Sequence, residues 1–313
     1  MSREFPVAAP AIASPPAASR LPAFGALALA MGIVGTSVTA NKFIVGHAPI
    51  FLASAIRFLL AAAILIALVR AVEGGLPRLS PRLHAVLALQ ALAGVVMFNI
   101  LLLLGLDMTT ATVSGIITAA TPAVIALMSV AMGDRLSRTG WIGVSIAIAG
   151  VVAVNLLVTP GGDEASRPIL GGALVFLAVV GEALYTVLGT YAAGKVTPLA
   201  TATWISIYGA EMFVPLAVWD LRDADLGAIP LSTWLAILYL AVVVTVVAFA
   251  LWFKGLATIP ASTAGAFTGM IPVMAVISAG LILGESVGPL HIAGIACVLT
   301  GIFLVAGAHA PPA

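Results

Sequence analysis

Three charged side chains fall inside long apolar stretches of this sequence: Arg57, Glu182 and Glu211. An acid at mid-bilayer costs about 2.5–3.5 kcal/mol on insertion scales, so such residues face the protein interior and mark substrate or proton pathways. Glu182 reads as a site for a substrate amine or a coupling proton, with Glu211 as its partner or a second polar contact. The competing reading is two neutral acids hydrogen-bonded for packing. Measured from the turn at Lys195, the two lie ~20 and ~24 Å up their helices at ~1.5 Å per residue, so a shared site is geometrically open to them. Arg57 could hold a substrate carboxylate through two parallel N–H donors. It could also be a structural cation bonded to carbonyls, and that role is the favoured of the two.

Weaker polar candidates surround these. Asn41 and Asn99 are amides that need partners if buried, and Lys42 sits where it can snorkel to an interface. Tyr185 lies about one helical turn from Glu182, while Tyr239 and Trp204 are more remote candidates. Pro122 and Pro272 interrupt apolar stretches and each deprives a mid-helix carbonyl of its partner. They are expected to shape or hinge a cavity with Gly115 and Gly265. Thr118, Thr121 and Thr268 lie within a turn of them and could offer hydroxyls to substrate or to their own backbone.

Enzyme chemistry finds little support. His47, His84, His291 and His309 are dispersed, with no His-Glu-x-x-His pattern for zinc, and no Gly-x-Ser-x-Gly elbow occurs. The pair Asp223 and Asp225 resembles a metal-binding motif but falls in a loop. No catalytic residue, metal or cofactor is expected. Cys297 is the single cysteine, which excludes an intrachain disulfide.

The elements that must carry these residues follow from composition. Of 313 residues, 62% are hydrophobic and 8% charged, against about a quarter charged in soluble domains. A bilayer is the expected solvent. Spanning takes ~20 mostly apolar residues, and ten runs supply them: 22–43, 49–69, 84–106, 111–132, 139–159, 169–192, 198–219, 232–253, 261–283 and 288–308. The expectation is an all-α integral membrane protein of ten transmembrane helices. Residues 1–21, rich in Ala, Pro and Ser, are expected to be a disordered cytoplasmic tail.

Half of the chain repeats the other half. Gly105, Ala111, Gly115 and Pro122 recur at one constant offset as Gly255, Ala261, Gly265 and Pro272. After one inserted residue, Gly133-Asp134, Gly143 and Gly150 recur as Gly284-Glu285, Gly294 and Gly301. The units are 22–159 and 169–308. Five spans per unit invert the second relative to the first, and paired proline-interrupted segments in inverted repeats point to a transporter. With both termini inside, Lys and Arg in the connections divide nine inside to three outside, which sets that orientation. Trp141 and Trp252 then fall near the inner boundary, Trp219 and Trp234 near the outer.

The order Gly105-Leu106, Thr109–Thr112, Pro122, Gly133-Asp134-Arg135-Leu136, Gly143, Gly150, with its second copy, resembles the repeat signature of EamA-type drug/metabolite transporters. Asn41-Lys42, Pro49 and Ala55–Phe58 resemble that family's first hairpin, and Ala183–Thr186 the start of its second half. The likeness spans about residues 22–308. It implies ten helices, an inner-membrane location and export of amino acids or other small metabolites. Asp134 departs from the family's usual Glu, and Glu182 stands where an aromatic is common. The expected partners are a small-molecule substrate, first an amino acid, and the lipid bilayer. Drug or quaternary-ammonium efflux is the alternative. The 13 Lys and Arg are scattered rather than patched, so nucleic acid is not expected. A Gly280-x-x-x-Gly284 pair could bring helices together, but packing within so polytopic a chain is the default, so a monomer is expected.

Overall fold

The structure, a computed structural model, describes residues 17–132, 136–157, 166–192, 194–222, 224–256 and 266–308. Ten helical passes and no strand occur among them: α1 (Ala17–Lys42), α2 (Ile50–Glu73), α3 (Pro81–Met108), α4 (Ala111–Ala131), α5 (Arg138–Leu157), α6 (Pro168–Ala192), α7 (Pro198–Asp220), α8 (231–256), α9 (266–283) and α10 (Pro289–Ala308). Seven passes are long and apolar enough to cross a bilayer, and Phe267–Leu283 and Pro289–Val305 are shorter apolar helices. The boundaries follow local chemistry. Pro81, Pro168, Pro198 and Pro289 open their helices, where a missing N–H costs nothing. Ser80, Thr110 and Thr197 cap α3, α4 and α7 by accepting from Leu83, Val113 and Ala200 N–H groups. Helix α1 begins at Ala17, inside the stretch expected to be a tail; residues 1–16 lie outside the described residues.

Packing obeys an exchange between the halves. Helix α3 packs on α6 as α8 packs on α1, and α4 packs on α6 as α9 packs on α1. The pairs α2–α7 and α5–α10 map onto themselves. Side-chain register follows the same rule. Gly105 lies against Gly171 and Val175, while Gly255 lies against Ala23 and Leu27. Gly143 faces Gly301, and Gly150 faces Gly294. Between helices in lipid there is no hydrophobic drive, so small residues that admit close backbone approach supply the packing. Two inverted five-helix repeats thus close on each other through glycine contacts the sequence repeat had marked.

Four passes are irregular. Helix α4 is two half-helices, Ala111–Thr118 and Thr121–Ala131, with Pro122 in the first turn of the second. Its counterpart α9 opens with a 3-10 turn, Ala266–Gly269, before Met270–Ser278, with Pro272 buried in its first turn. Helices α3 and α8 hold π segments at matching places, Leu92–Met97 and Leu240–Val247. A third π segment, Ala279–Leu283, ends α9 at Gly284, whose φ of 71° glycine tolerates. Insertions of this kind free carbonyls inside a helix and often mark functional places.

Candidate functional site

The break in α4 brings three predicted residues together. Proline at 122 has no N–H to offer the Thr118 carbonyl four residues back. The Thr121 hydroxyl stands 2.7 Å from that carbonyl and 2.8 Å from Glu182 Oε2, reaching across to α6. Thr118 donates in turn to the Gly115 carbonyl at 3.0 Å. Gly115 packs on Ala275 of α9 with its missing Cβ replaced by that methyl. The glycine therefore lets the two broken helices meet beside the hydroxyl pair.

Arg57 extends from α2 between the two matching π segments. It donates to Asn99 Oδ1 of α3 at 3.1 Å and to Thr245 Oγ1 of α8 at 3.5 Å. Each acceptor is itself fixed by a backbone carbonyl of its π segment. Asn99 donates to Val95 at 2.7 Å, and Thr245 to Leu240 at 2.8 Å. The guanidinium also stacks over Phe58, 5.1 Å from the ring centroid. Its Nε is buried without a partner, and no carboxylate pairs with it among the described residues. Arg57 is thus bonded to side chains held by carbonyls rather than to carbonyls themselves. Tyr185 packs into the same apolar cluster as Ile56 and Phe58, the chain neighbours of Arg57. Gln90 holds the Tyr185 carbonyl at 3.0 Å, and Gly94 leaves room for the Tyr185 side chain.

Other predicted residues are placed elsewhere. Glu211 is exposed in a groove between α2 and α7 of about 590 Å³, beside Leu59, Ala62, Ile66 and Pro215. It is not hydrogen-bonded to Glu182, which faces α4 instead. Similar depth did not bring the acids together because, among the described residues, α6 and α7 do not pack on each other: α6 lies on α3 and α4, while α7 lies on α2 and α3. Lys42 donates to the Leu106 and Thr109 carbonyls at 2.5 and 2.8 Å, closing the end of α3. Asn41 is buried, and its backbone carbonyl accepts from Ile44 and Val45. Thr268 is half-buried in the 3-10 turn of α9. Gly265, Ala261, Asp134 and the Asp223 of the acidic pair lie outside the described residues.

Sequence reasoning missed Thr245, whose role depends on a π turn, and Gln90. It also missed a cluster at the Lys195 end, where His84 Nδ1 contacts the Tyr208 hydroxyl and its ring meets Trp204 edge-on at 4.9 Å. At the opposite end, Glu285 accepts from the Ala111 and Thr112 N–H groups, both at 2.7 Å. Asp220 likewise accepts from Phe51 and Leu52 at 3.1 and 3.2 Å. Acids at helix N-termini satisfy free donors and the positive end of the helix dipole.

These features define a multi-pass membrane protein of two inverted repeats with broken helices and polar groups at their junction. The pattern of the EamA-like transporter family matches residues 22–156 and again 169–307, and the chain belongs to that family. It is 38% identical over 283 residues to "Uncharacterized transporter YetK" of Bacillus subtilis (strain 168), covering 90% of this chain and 86% of that one. It is 26% identical over 278 residues to "Uncharacterized transporter YyaM" of the same organism, covering 87% and 90%. A solved structure titled "Crystal structure of protein" shares the fold with a TM-score of 0.61 at 18% identity, over 92% of this chain and 96% of that one. The protein is a transporter of the EamA type.

Proposed function

We propose that this transporter exports small metabolites, amino acids first among them, across the inner membrane by alternating access of its two repeats. In this reading the repeats are 22–159 and 169–308, the protein works as a monomer, and both termini are cytoplasmic. The observation that carries the substrate class is Arg57. Its guanidinium has a buried Nε without a partner and no paired carboxylate among the described residues. A buried unpaired charge is costly, and a substrate carboxylate would neutralise it through charge-assisted bonds. Arg57 also touches helices of both repeats through Asn99 and Thr245, so a ligand bound there senses their relative position. Glu182 is the second pole of the site.

The test is counterflow in proteoliposomes against a panel of amino acids. At least one should exchange, and Arg57→Gln should lose about tenfold or more while eluting as a folded protein, since a hydrogen bond to a charged group contributes about 1.5–3 kcal/mol. Uptake of a cationic dye with no exchange of any amino acid would overturn the substrate class.

A further inference from the structure

Thr121 has one hydroxyl proton and two oxygen neighbours competing for it. Its Oγ lies 2.7 Å from the Thr118 carbonyl and 2.8 Å from Glu182 Oε2. A hydroxyl donates one hydrogen bond and accepts two. Both contacts are therefore full two-centre hydrogen bonds only if one neighbour brings a proton of its own, and a carbonyl cannot. Thr118 has lost its ordinary helical donor to Pro122, and an unpaired carbonyl in the membrane is expensive. With the Thr121 proton on that carbonyl, Glu182 must be a neutral acid donating to Thr121 Oγ. An ionised Glu182 only accepts. It then accepts the Thr121 hydrogen bond and leaves the Thr118 carbonyl bare at the break.

We propose that Glu182 is a proton-binding site whose occupancy sets the joint of α4 through Thr121. When loaded, the relay Glu182 to Thr121 to Thr118 braces the half-helices Ala111–Thr118 and Thr121–Ala131 across Ala119 and Ala120. When empty, the brace is gone and the joint can bend. The step breaks no bond between heavy atoms: the Glu182 proton leaves to water, and the Thr121 hydroxyl rotates its own proton to the carboxylate.

The surroundings isolate this pair. Among the described residues, Tyr185 on the same helix is the titratable group that senses Glu182. Helices α3 and α4 bring Ala93, Gly94, Thr118 and Thr121 to this level, and the charged residues of α3 and α5 lie at their ends. The repeat does not duplicate the device. Ile271 stands at the position of Thr121. The register that matches Leu27 to Val175 makes Val34 the counterpart of Glu182.

Infrared difference spectroscopy of the full chain in nanodiscs, without substrate, tests the proton relay separately from the amino-acid reading. The wild type should show an acid carbonyl band that Glu182→Gln loses. Raising the pH should remove that band and shift an amide carbonyl as Thr118 is released. In Thr121→Val the acid band should move to higher frequency, because its proton is no longer donated, and the amide shift should vanish. Thr121→Ser should restore both, and Thr121→Ala replaces the valine variant if that fails to fold. Three results would each overturn the proposal: no acid band at any pH, a band that never titrates, or a Thr121→Val spectrum matching wild type.

Discussion

Replacing Gly301 by alanine tests the pairing of α5 with α10 most directly. A Cβ at 301 would lie 2.5 Å from the Gly143 carbonyl oxygen, 2.7 Å from Ala147 Cβ and 2.8 Å from the Ala147 nitrogen. Two of these are backbone atoms, so no rotamer change relieves them and the helices must part by about 1 Å, forfeiting a quarter to a half of each neighbouring dispersion contact. Overpacking of this kind costs about 1–3 kcal/mol, and the better helix propensity of alanine returns up to about 1. The net expectation is about 1–2 kcal/mol of destabilisation. Gly25 in α1 is the control, since nothing lies within 4 Å of a Cβ there, and Gly25→Ala should stabilise by roughly 0.5–1 kcal/mol. Cys297 supplies the assay. It is the free cysteine of α10 and lies with Gly150 and Gly294 in the groove where α5 meets α10, so its labelling reports the separation of these helices. Thermal unfolding followed by a thiol-reactive fluorophore should place the two variants on opposite sides of wild type. At roughly 2–4 °C per kcal/mol their midpoints should differ by several degrees. Equal midpoints for Gly301→Ala and Gly25→Ala would refute the close α5–α10 contact.

Two further outcomes use the same thiol readout. Glu285→Gln keeps one acceptor oxygen for the two N–H groups at the start of α4, and should lose about 1 kcal/mol, with Glu285→Ala losing more; an unchanged midpoint in both would show that the cap contributes nothing. Lys42→Met retains the apolar stem but abandons the Leu106 and Thr109 carbonyls, so it should destabilise by about 1–3 kcal/mol, whereas Lys42→Arg should recover part of the loss. A fully stable Lys42→Met would remove Lys42 from the account of how α1 is fastened to α3.

Much of the architecture was legible because it rests on features that sequence displays directly. Apolar run length gave the passes, and the recurring glycines at 105, 143 and 150 gave the repeat whose contacts now pair Gly143 with Gly301. Proline at 122 marked the interruption in α4, and Thr118, Thr121 and Glu182 were all named from type and spacing. The hidden part has a physical cause. A π segment adds a residue without changing hydropathy, so Leu92–Met97 and Leu240–Val247 read as ordinary helix, and Thr245 with them. The facing of Glu211 was equally invisible. In lipid, both the packed and the exposed faces of α7 are apolar, so no stripe reports its rotation. Depth alone could not decide whether Glu211 met Glu182 or the groove beside α2.

The exchange between repeats has one further consequence. In the alternating-access cycle proposed above, two identical inverted halves would make the inward-open and outward-open forms equivalent under a two-fold axis in the membrane plane, with equal free energy and each half populated at rest. Thr121 bonds a carboxyl while Ile271, at the equivalent place, has no hydroxyl to do so, so this joint is one of the places where that degeneracy is lifted. The resting bias of such a cycle would be the summed difference between the halves, and this joint's share of it would change with the charge on Glu182.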